Sequence, residues 1–125
     1  MSNTDIRKKK IFVIEDNSGI LFALKEALLL EGYDVETYSV FVGVNVLSQN
    51  PPDLIFLDVF LAAQDGREIT RELKADARTK HIPVVLLSAY PGIEELASEA
   101  GADGYLAKPF HLEDFLSFAK KYTEI

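Results

Sequence analysis

Leu54-Ile55-Phe56-Leu57-Asp58 sets four apolar residues in an unbroken run and closes it with a carboxylate. So short a run, without the polar alternation of a one-sided strand, is the pattern of a parallel strand covered on both faces. Working outward, the pattern recurs three times. Ile11-Phe12-Val13-Ile14 ends on Glu15-Asp16, Ile82-Pro83-Val84-Val85-Leu86-Leu87 ends on Ser88, and Tyr105-Leu106-Ala107 ends on Lys108. Parallel strands present their carboxyl ends along one edge of a sheet, where ligands of open α/β folds bind. Three carboxylates, a hydroxyl and an ammonium are therefore expected to meet there, and a hydrophobic core has no use for any of them.

Helical signals fill the intervals between the runs, which predicts alternating βα units and an α/β fold. A first helix is expected over Ser18–Glu31, with Leu21, Leu24 and Leu28 inward and Gly32 as its stop. Val35-Glu36-Thr37-Tyr38 reads as a second strand. Val40, Val42, Val44 and Val46 alternate as a strand would, but two successive parallel strands need a crossover, so this segment is assigned a helix. Asp65 is the expected N-cap of the next helix, with Glu68 at the capping-box position and Ile69 and Leu73 buried. Another helix is expected from Pro91 to Gly101, with Ile93, Leu96, Ala97 and Ala100 inward. The last spans Leu112 to Thr123, with Leu112, Phe115, Leu116 and Ala119 on its core stripe.

At 125 residues the chain has the length of one domain, and 48% hydrophobic with 26% charged residues is ordinary for a globular protein. Without cysteine, disulfides, thiolate catalysis and cysteine-based zinc sites are excluded. No apolar run approaches a membrane span, and Glu15 ends the stretch after Lys8-Lys9-Lys10 too early for a signal peptide, so a cytoplasmic protein without a membrane partner is expected. Residues 1–10 set Arg7, Lys8, Lys9 and Lys10 against Asp5, which leaves the remainder of a chain of net charge −7 strongly acidic. Such a body repels phosphate backbones, so direct DNA binding is not expected. The basic lead, residues 1–8, reads as a solvated tail.

If the first and third strand ends converge, Glu15, Asp16 and Asp58 repel one another. Two unit charges 4 Å apart cost about 4 kcal/mol at an effective dielectric of 20. A proton or a cation must relieve that, and an all-oxygen set with room for water suits Mg²⁺. Lys108, held near the edge by the turn at Pro109, can pair with these acids or receive a charged group arriving on one of them. The Ser88 hydroxyl is a donor for such a group, and Ala89 leaves room for it.

Together, Ile14-Glu15-Asp16-Asn17, Leu57-Asp58-Val59, Asp65-Gly66, Leu87-Ser88-Ala89 and Gly101-Ala102-Asp103-Gly104-Tyr105-Leu106-Ala107-Lys108-Pro109-Phe110 resemble the receiver domains of two-component response regulators. The resemblance covers residues 9–123, and the domain is expected over 9–125. It implies a flavodoxin-like, doubly wound (βα)5 fold with a five-stranded parallel sheet of order 2-1-3-4-5 and helices on both faces. It implies that Asp58 accepts a phosphoryl group. It further implies that Asp16, Asp58 and the Phe60 main-chain carbonyl bind Mg²⁺ or Mn²⁺, with Glu15 acting through water. Lys108, Ser88 and Ala89 would contact the phosphoryl group, and Ser88 and Tyr105 would form the switch. The implied partners are a sensor histidine kinase or histidine phosphotransfer protein and a downstream protein target. A homodimer through the 91–123 face is compatible with it.

The family's proline after the acceptor strand is missing from Leu61-Ala62-Ala63-Gln64. Phe60 and Tyr90 fall where water would approach the phosphoryl group, so they are expected to gate hydrolysis. The leading expectation is a receiver with no output domain of its own, a signalling switch and not an enzyme. A dehalogenase-type phosphatase needs a second acid two residues after its nucleophile, where this chain has Phe60. A receiver-like module that only binds proteins would usually have lost an acid, the acceptor or the lysine.

Overall fold

A computed structural model describes residues 8–124; residues 1–7, most of the basic lead, lie outside the described residues. The chain alternates β1 (Lys10–Ile14), α1 (Ser18–Leu30), β2 (Asp34–Tyr38), α2 (Val44–Gln49), β3 (Leu54–Asp58), α3 (Gly66–Ala75), β4 (Val84–Ser88), α4 (Ile93–Ala100), β5 (Gly104–Ala107) and α5 (Leu112–Thr123). All pairings between these strands are parallel and the order is β2-β1-β3-β4-β5, as the resemblance implies.

The unbroken apolar runs have a direct cause. Successive side chains of a strand point to opposite faces, so a strand covered on both must be apolar at every position. Ile11, Val13, Leu54, Phe56, Val85 and Leu87 pack under α1 and α5 against Leu24, Leu28, Phe115 and Ala119. Phe12, Ile14, Ile55, Leu57, Val84 and Leu86 face the other way, against Val44 and Leu47 of α2, Ile69 and Leu73 of α3, and Ile93 and Ala97 of α4. Each fully buried Leu, Ile or Phe contributes about 1.5–3 kcal/mol of transfer free energy. β2, at the sheet edge, is only half-buried and shows the mixed sequence of an edge.

Local signals place the helix ends. The Asn17 side chain caps α1 by accepting from the Ile20 N–H at 2.9 Å. Gly32, at φ +94°, ends α1 in a conformation that disfavours other residues. Asp65 caps α3 by accepting from the Arg67 N–H at 2.9 Å, whereas Glu68 pairs with Arg71. The valine segment does form a helix, but only over Val44–Gln49, with Val44 and Leu47 inward and Val46 exposed.

Two further expectations need correction. α4 starts at Ile93 and not at Pro91, because Pro91-Gly92 form a turn whose Gly92 caps the helix without a side-chain bond. Leu112 is 46% exposed and off the core stripe, since the first turn of α5 overhangs a groove instead of the sheet. No helix among the described residues is long and apolar enough to cross a membrane.

Opposite the strand carboxyl ends, Lys74 closes the other edge. Its Nζ reaches Asp103 Oδ2 at 2.7 Å and the Ile82 carbonyl at 2.8 Å, while Asp103 Oδ2 also accepts from the Val84 N–H at 2.8 Å. Near the site edge, a Cβ on Gly66 would lie 2.5 Å from the Asp58 carbonyl oxygen and 2.7 Å from Val59 Cα. Only glycine lets α3 start so close to the end of β3. Gly66→Ala should destabilise the fold by about 1–3 kcal/mol, the range for overpacking a closed site, measured by urea unfolding. An unchanged midpoint would mean that α3 can move away freely.

Candidate functional site

The strand order reverses between β1 and β3: the chain leaves β1 for β2 on one side and returns to β3 on the other. Such a switch point opens a crevice at the carboxyl ends, and ladder bonds from neighbouring strands set the residues around it. The Glu15 N–H donates to the Tyr38 carbonyl at 3.0 Å and extends the ladder beyond β1. The Val59 N–H donates to the Leu87 carbonyl at 3.0 Å, and the Lys108 N–H to the Ser88 carbonyl at 2.8 Å. Backbone pairing thus brings Glu15, Asp16, Asp58, Ser88 and Lys108 to one edge.

The structure gathers the three acids as expected: Glu15, Asp16 and Asp58 each offer an oxygen within 4.8 Å of the others. They are not equivalent. Glu15 is 1% and Asp58 6% exposed, while Asp16 is open to solvent. Lys108 Nζ lies 2.7 Å from Glu15 Oε1 and 3.5 Å from Asp58 Oδ2. The Asn17 N–H donates to Glu15 Oε2 at 3.2 Å, and the Phe60 N–H to Asp58 Oδ1 at 3.4 Å. One ammonium against three carboxylates leaves the cluster short of positive charge. Burial, and then the Glu15 carboxylate beside it, push the Asp58 carboxyl up to about 6, with Lys108 only partly opposing them.

Ser88 is buried, and its Oγ accepts from the Tyr90 N–H at 2.9 Å, which leaves its own proton available to an acceptor. Ala89 is exposed and shares the wall of a groove with Lys108. This groove of about 420 Å³ is apolar, lined by Ile20, Ala23 and Leu24 of α1 and by Pro109, Phe110 and Leu112. The Phe60 and Tyr90 rings meet edge-to-face at 6.0 Å and are 51% and 50% exposed. Tyr105 stands apart from the acids, half-buried against the core layer of α2, α3 and α4.

Two positioning features escape a reading of strand ends. Asn17 both caps α1 and holds Glu15, and an Asn directly before a helical pattern is the signal for the first role. Gln64 bonds to the backbone of Phe41, a contact across 23 positions that no local signal reveals.

A cluster of this geometry on this fold has known counterparts. Residues 11–120 match the response regulator receiver domain. The chain belongs to that family, the receivers of two-component signalling, which act as signalling domains and not as enzymes. It is similar to the polar-differentiation response regulator DivK of Brucella ovis, at 30% identity over 117 residues, covering 91% of this chain and 95% of that protein. The receiver domain of sensor histidine kinase PA1611 from Pseudomonas aeruginosa PAO1 has the same fold, with TM-score 0.82 and 27% identity over 93% of this chain and 98% of that one. That crystal structure contains a magnesium ion coordinated in its active-site cleft. The signal receiver domain of a signal transduction histidine kinase from Syntrophus aciditrophicus matches with TM-score 0.80 and 33% identity over 91% and 89% of the two chains.

The Asp58 carboxyl predicts a pH dependence. Its folded-state value of about 6 lies above the ordinary 3.8. An acid raised on folding supports the fold fully below its unfolded value, and that support is lost as pH rises through the folded one. In EDTA at pH 7.5, Asp58→Asn should therefore be more stable than the unaltered protein by up to about 3 kcal/mol. The gap should close as pH falls from about 6 to 4. Urea unfolding at a series of pH values measures it, and a constant gap would show that ionised Asp58 is not disfavoured.

Proposed function

We propose that the chain is a phosphoryl-accepting switch, cytoplasmic and with its receiver unit over residues 9–125, in which Asp58 is the acceptor. The carrying observation is a buried carboxylate at the β1/β3 switch point, ringed by Glu15, Asp16 and Lys108.

The donor set is all oxygen, carries excess negative charge and is open to water on the Asp16 side, which fits Mg²⁺ or Mn²⁺. Asp16, Asp58 and the Phe60 carbonyl would hold the ion, and Glu15 would act through water. Bound there, Mg²⁺ would supply positive charge to the oxygens of a transferring phosphoryl group.

An Asp58 oxygen attacks phosphorus in line. An O–P bond forms as the P–N bond of a phosphohistidine on a histidine kinase or phosphotransfer protein breaks, and the electron pair leaves with the imidazole. Positioning and charge do most of the work in such transfers. Lys108 pairs with the new oxygens, Ser88 donates its hydroxyl to one, and the Ala89 backbone borders the group. The apolar groove that Lys108 and Ala89 share would be a face for such a partner.

The acyl phosphate adds negative charge to an already acidic pocket. A charge-assisted hydrogen bond contributes roughly 1.5–3 kcal/mol, whereas taking a two-state equilibrium from 1:99 to 99:1 needs about 5.5 kcal/mol. Ser88 alone falls short. Ser88, Lys108 and repacking of Tyr105 together reach that range, and the 91–123 surface is the face they would alter for a downstream protein or a second copy.

Incubation with Mg²⁺ and acetyl phosphate, followed by intact-mass measurement, tests the reading. One added phosphoryl group is expected, and none in Asp58→Asn. No adduct from any donor would favour a module that only binds proteins, and continuous phosphate release would favour a phosphatase. With the paired Phe60 and Tyr90 rings proposed to screen the acceptor from water, Phe60→Ala and Tyr90→Ala should each shorten the phosphoryl half-life severalfold, followed by loss of the mass adduct. Unchanged half-lives would remove the rings from any gating role.

A further inference from the structure

We propose that Gln64 is a positioning residue, holding the loop that carries Phe60 against the backbone of Phe41 and so fixing one wall of the acidic site. The loop leaves β3 at Val59 and rejoins regular structure at Gly66. Its base is closed by an antiparallel bridge between Phe60 and Asp65 and by the Gly66 N–H donating to the Val59 carbonyl at 2.7 Å. Its tip, Leu61-Ala62-Ala63-Gln64, has no proline to stiffen it. Leu61 is buried in the core layer of α2 to α4, and Ala62 and Ala63 are exposed methyl groups. Gln64 is the one tip residue whose side chain can make a directional bond.

Its partner lies in the link between β2 and α2. Gln64 Oε1 accepts from the Phe41 N–H at 2.8 Å, and Gln64 Nε2 donates to the Phe41 carbonyl at a longer 3.5 Å. The amide orientation follows from chemistry, because a backbone N–H can only donate and must face the side-chain oxygen. A carboxamide facing both groups of one residue repeats the exchange of two neighbouring strands, so the site selects glutamine. Methionine would match its length without either bond.

The contacts close a circuit around the acids. The Glu15 N–H bonds to the Tyr38 carbonyl at the end of β2, and Phe41 follows three residues later. Gln64 crosses from Phe41 to the tip, the bridge joins Asp65 to Phe60, and the Phe60 N–H donates to Asp58. Phe60 and Glu15 are thus tied to each other through a segment that touches neither carboxylate directly. Coupling of this kind is reciprocal: an ion that orders Phe60 must also tighten the bond at Phe41. The inference rests on the reading above only in taking the cluster to bind a divalent cation.

Two measurements test it, neither of which requires phosphorylation: Mg²⁺ affinity by calorimetry, and amide exchange of Phe41 by NMR with and without Mg²⁺. In the unaltered protein, Mg²⁺ should slow exchange at Phe41. Gln64→Met should speed that exchange, remove its response to Mg²⁺ and weaken Mg²⁺ binding roughly tenfold, the low end for groups that orient a metal ligand. Gln64→Ala should behave alike, with both variants still folded by thermal melt. Wild-type affinity in Gln64→Met, or Phe41 exchange indifferent to Mg²⁺ in the unaltered protein, would overturn the proposal. A chain that binds Mg²⁺ yet takes no phosphoryl group would refute the switch and leave Gln64 judged on these measurements. Absence of Mg²⁺ binding would refute both.

Discussion

The ammonium of Lys108 sits between two buried carboxylates, 2.7 Å from Glu15 and 3.5 Å from Asp58, and the edge of the sheet is organised around it. Neither acid could be buried charged without a partner, since desolvating an ion in a protein interior costs several kcal/mol even after relaxation. Lys108 repays part of that, yet it cannot neutralise Glu15, Asp58 and the nearby Asp16 together. The raised Asp58 carboxyl is the residue of that imbalance. A core built for stability alone would have put apolar groups here, as it does one residue earlier at Ile14, Leu57 and Leu87. The site is held short of charge, which is the condition for receiving a cation.

The rest of the fold works as a jig for that cluster. β1 and β3 are apolar on both faces, so alternation alone does not pin their register; a slip would instead carry the closing carboxylates into the apolar layers. Pairing fixes the register, and the acids follow at the ends. Two close approaches then seat α3 and α5 against the sheet. Gly66 lets α3 start against the Asp58 carbonyl, and Gly104 admits the ring of Phe118 and the hydroxyl of Tyr122 from α5 beside β5, the strand that delivers Lys108. At Gly66 a methyl group would push α3 away from the edge that carries the acids, and at Gly104 it would crowd α5 at the opposite end of β5.

Much of this was legible in the chain. The runs Ile11–Ile14, Leu54–Leu57 and Val84–Leu87 announced two-sided burial, and the polar residues closing them announced the site. The acids, Lys108 and Ser88 lie where the strand ends imply. The misplaced features have local or tertiary causes that periodicity does not carry. Leu112 has a core-facing position in the helical repeat, but its turn lies beyond the sheet, so the same periodicity leads into a groove. Pro91 suits a first helical position, yet Gly92 delays the start of α4 to Ile93. Glu68 has the spacing of a capping box, and an arginine one turn ahead takes it instead. The Gln64 contact with Phe41 joins two irregular segments, which have no periodicity from which to infer contact.

Ser88 carries the last constraint. Its Oγ accepts the Tyr90 N–H while its proton is free, so one hydroxyl faces both the pocket and the loop bearing an outer aromatic ring. Turning the Ser88 side chain so that Oγ moves toward an anion on Asp58 would weaken its bond to Tyr90, at a cost of about 1 kcal/mol for a neutral hydrogen bond against roughly 1.5–3 for the charged one gained. The balance favours rotation by a small margin, so the arrangement can reverse when the anion leaves. Tyr90 meets Phe60 edge-to-face, and the Phe60 N–H bonds to Asp58. Under the proposed switch, a movement begun at Ser88 would pass through Tyr90 to the Phe60 ring. With Asp58 as the proposed acceptor, shielding it and sensing its state would share the same few contacts, Ser88 to Tyr90 and Phe60 to Asp58.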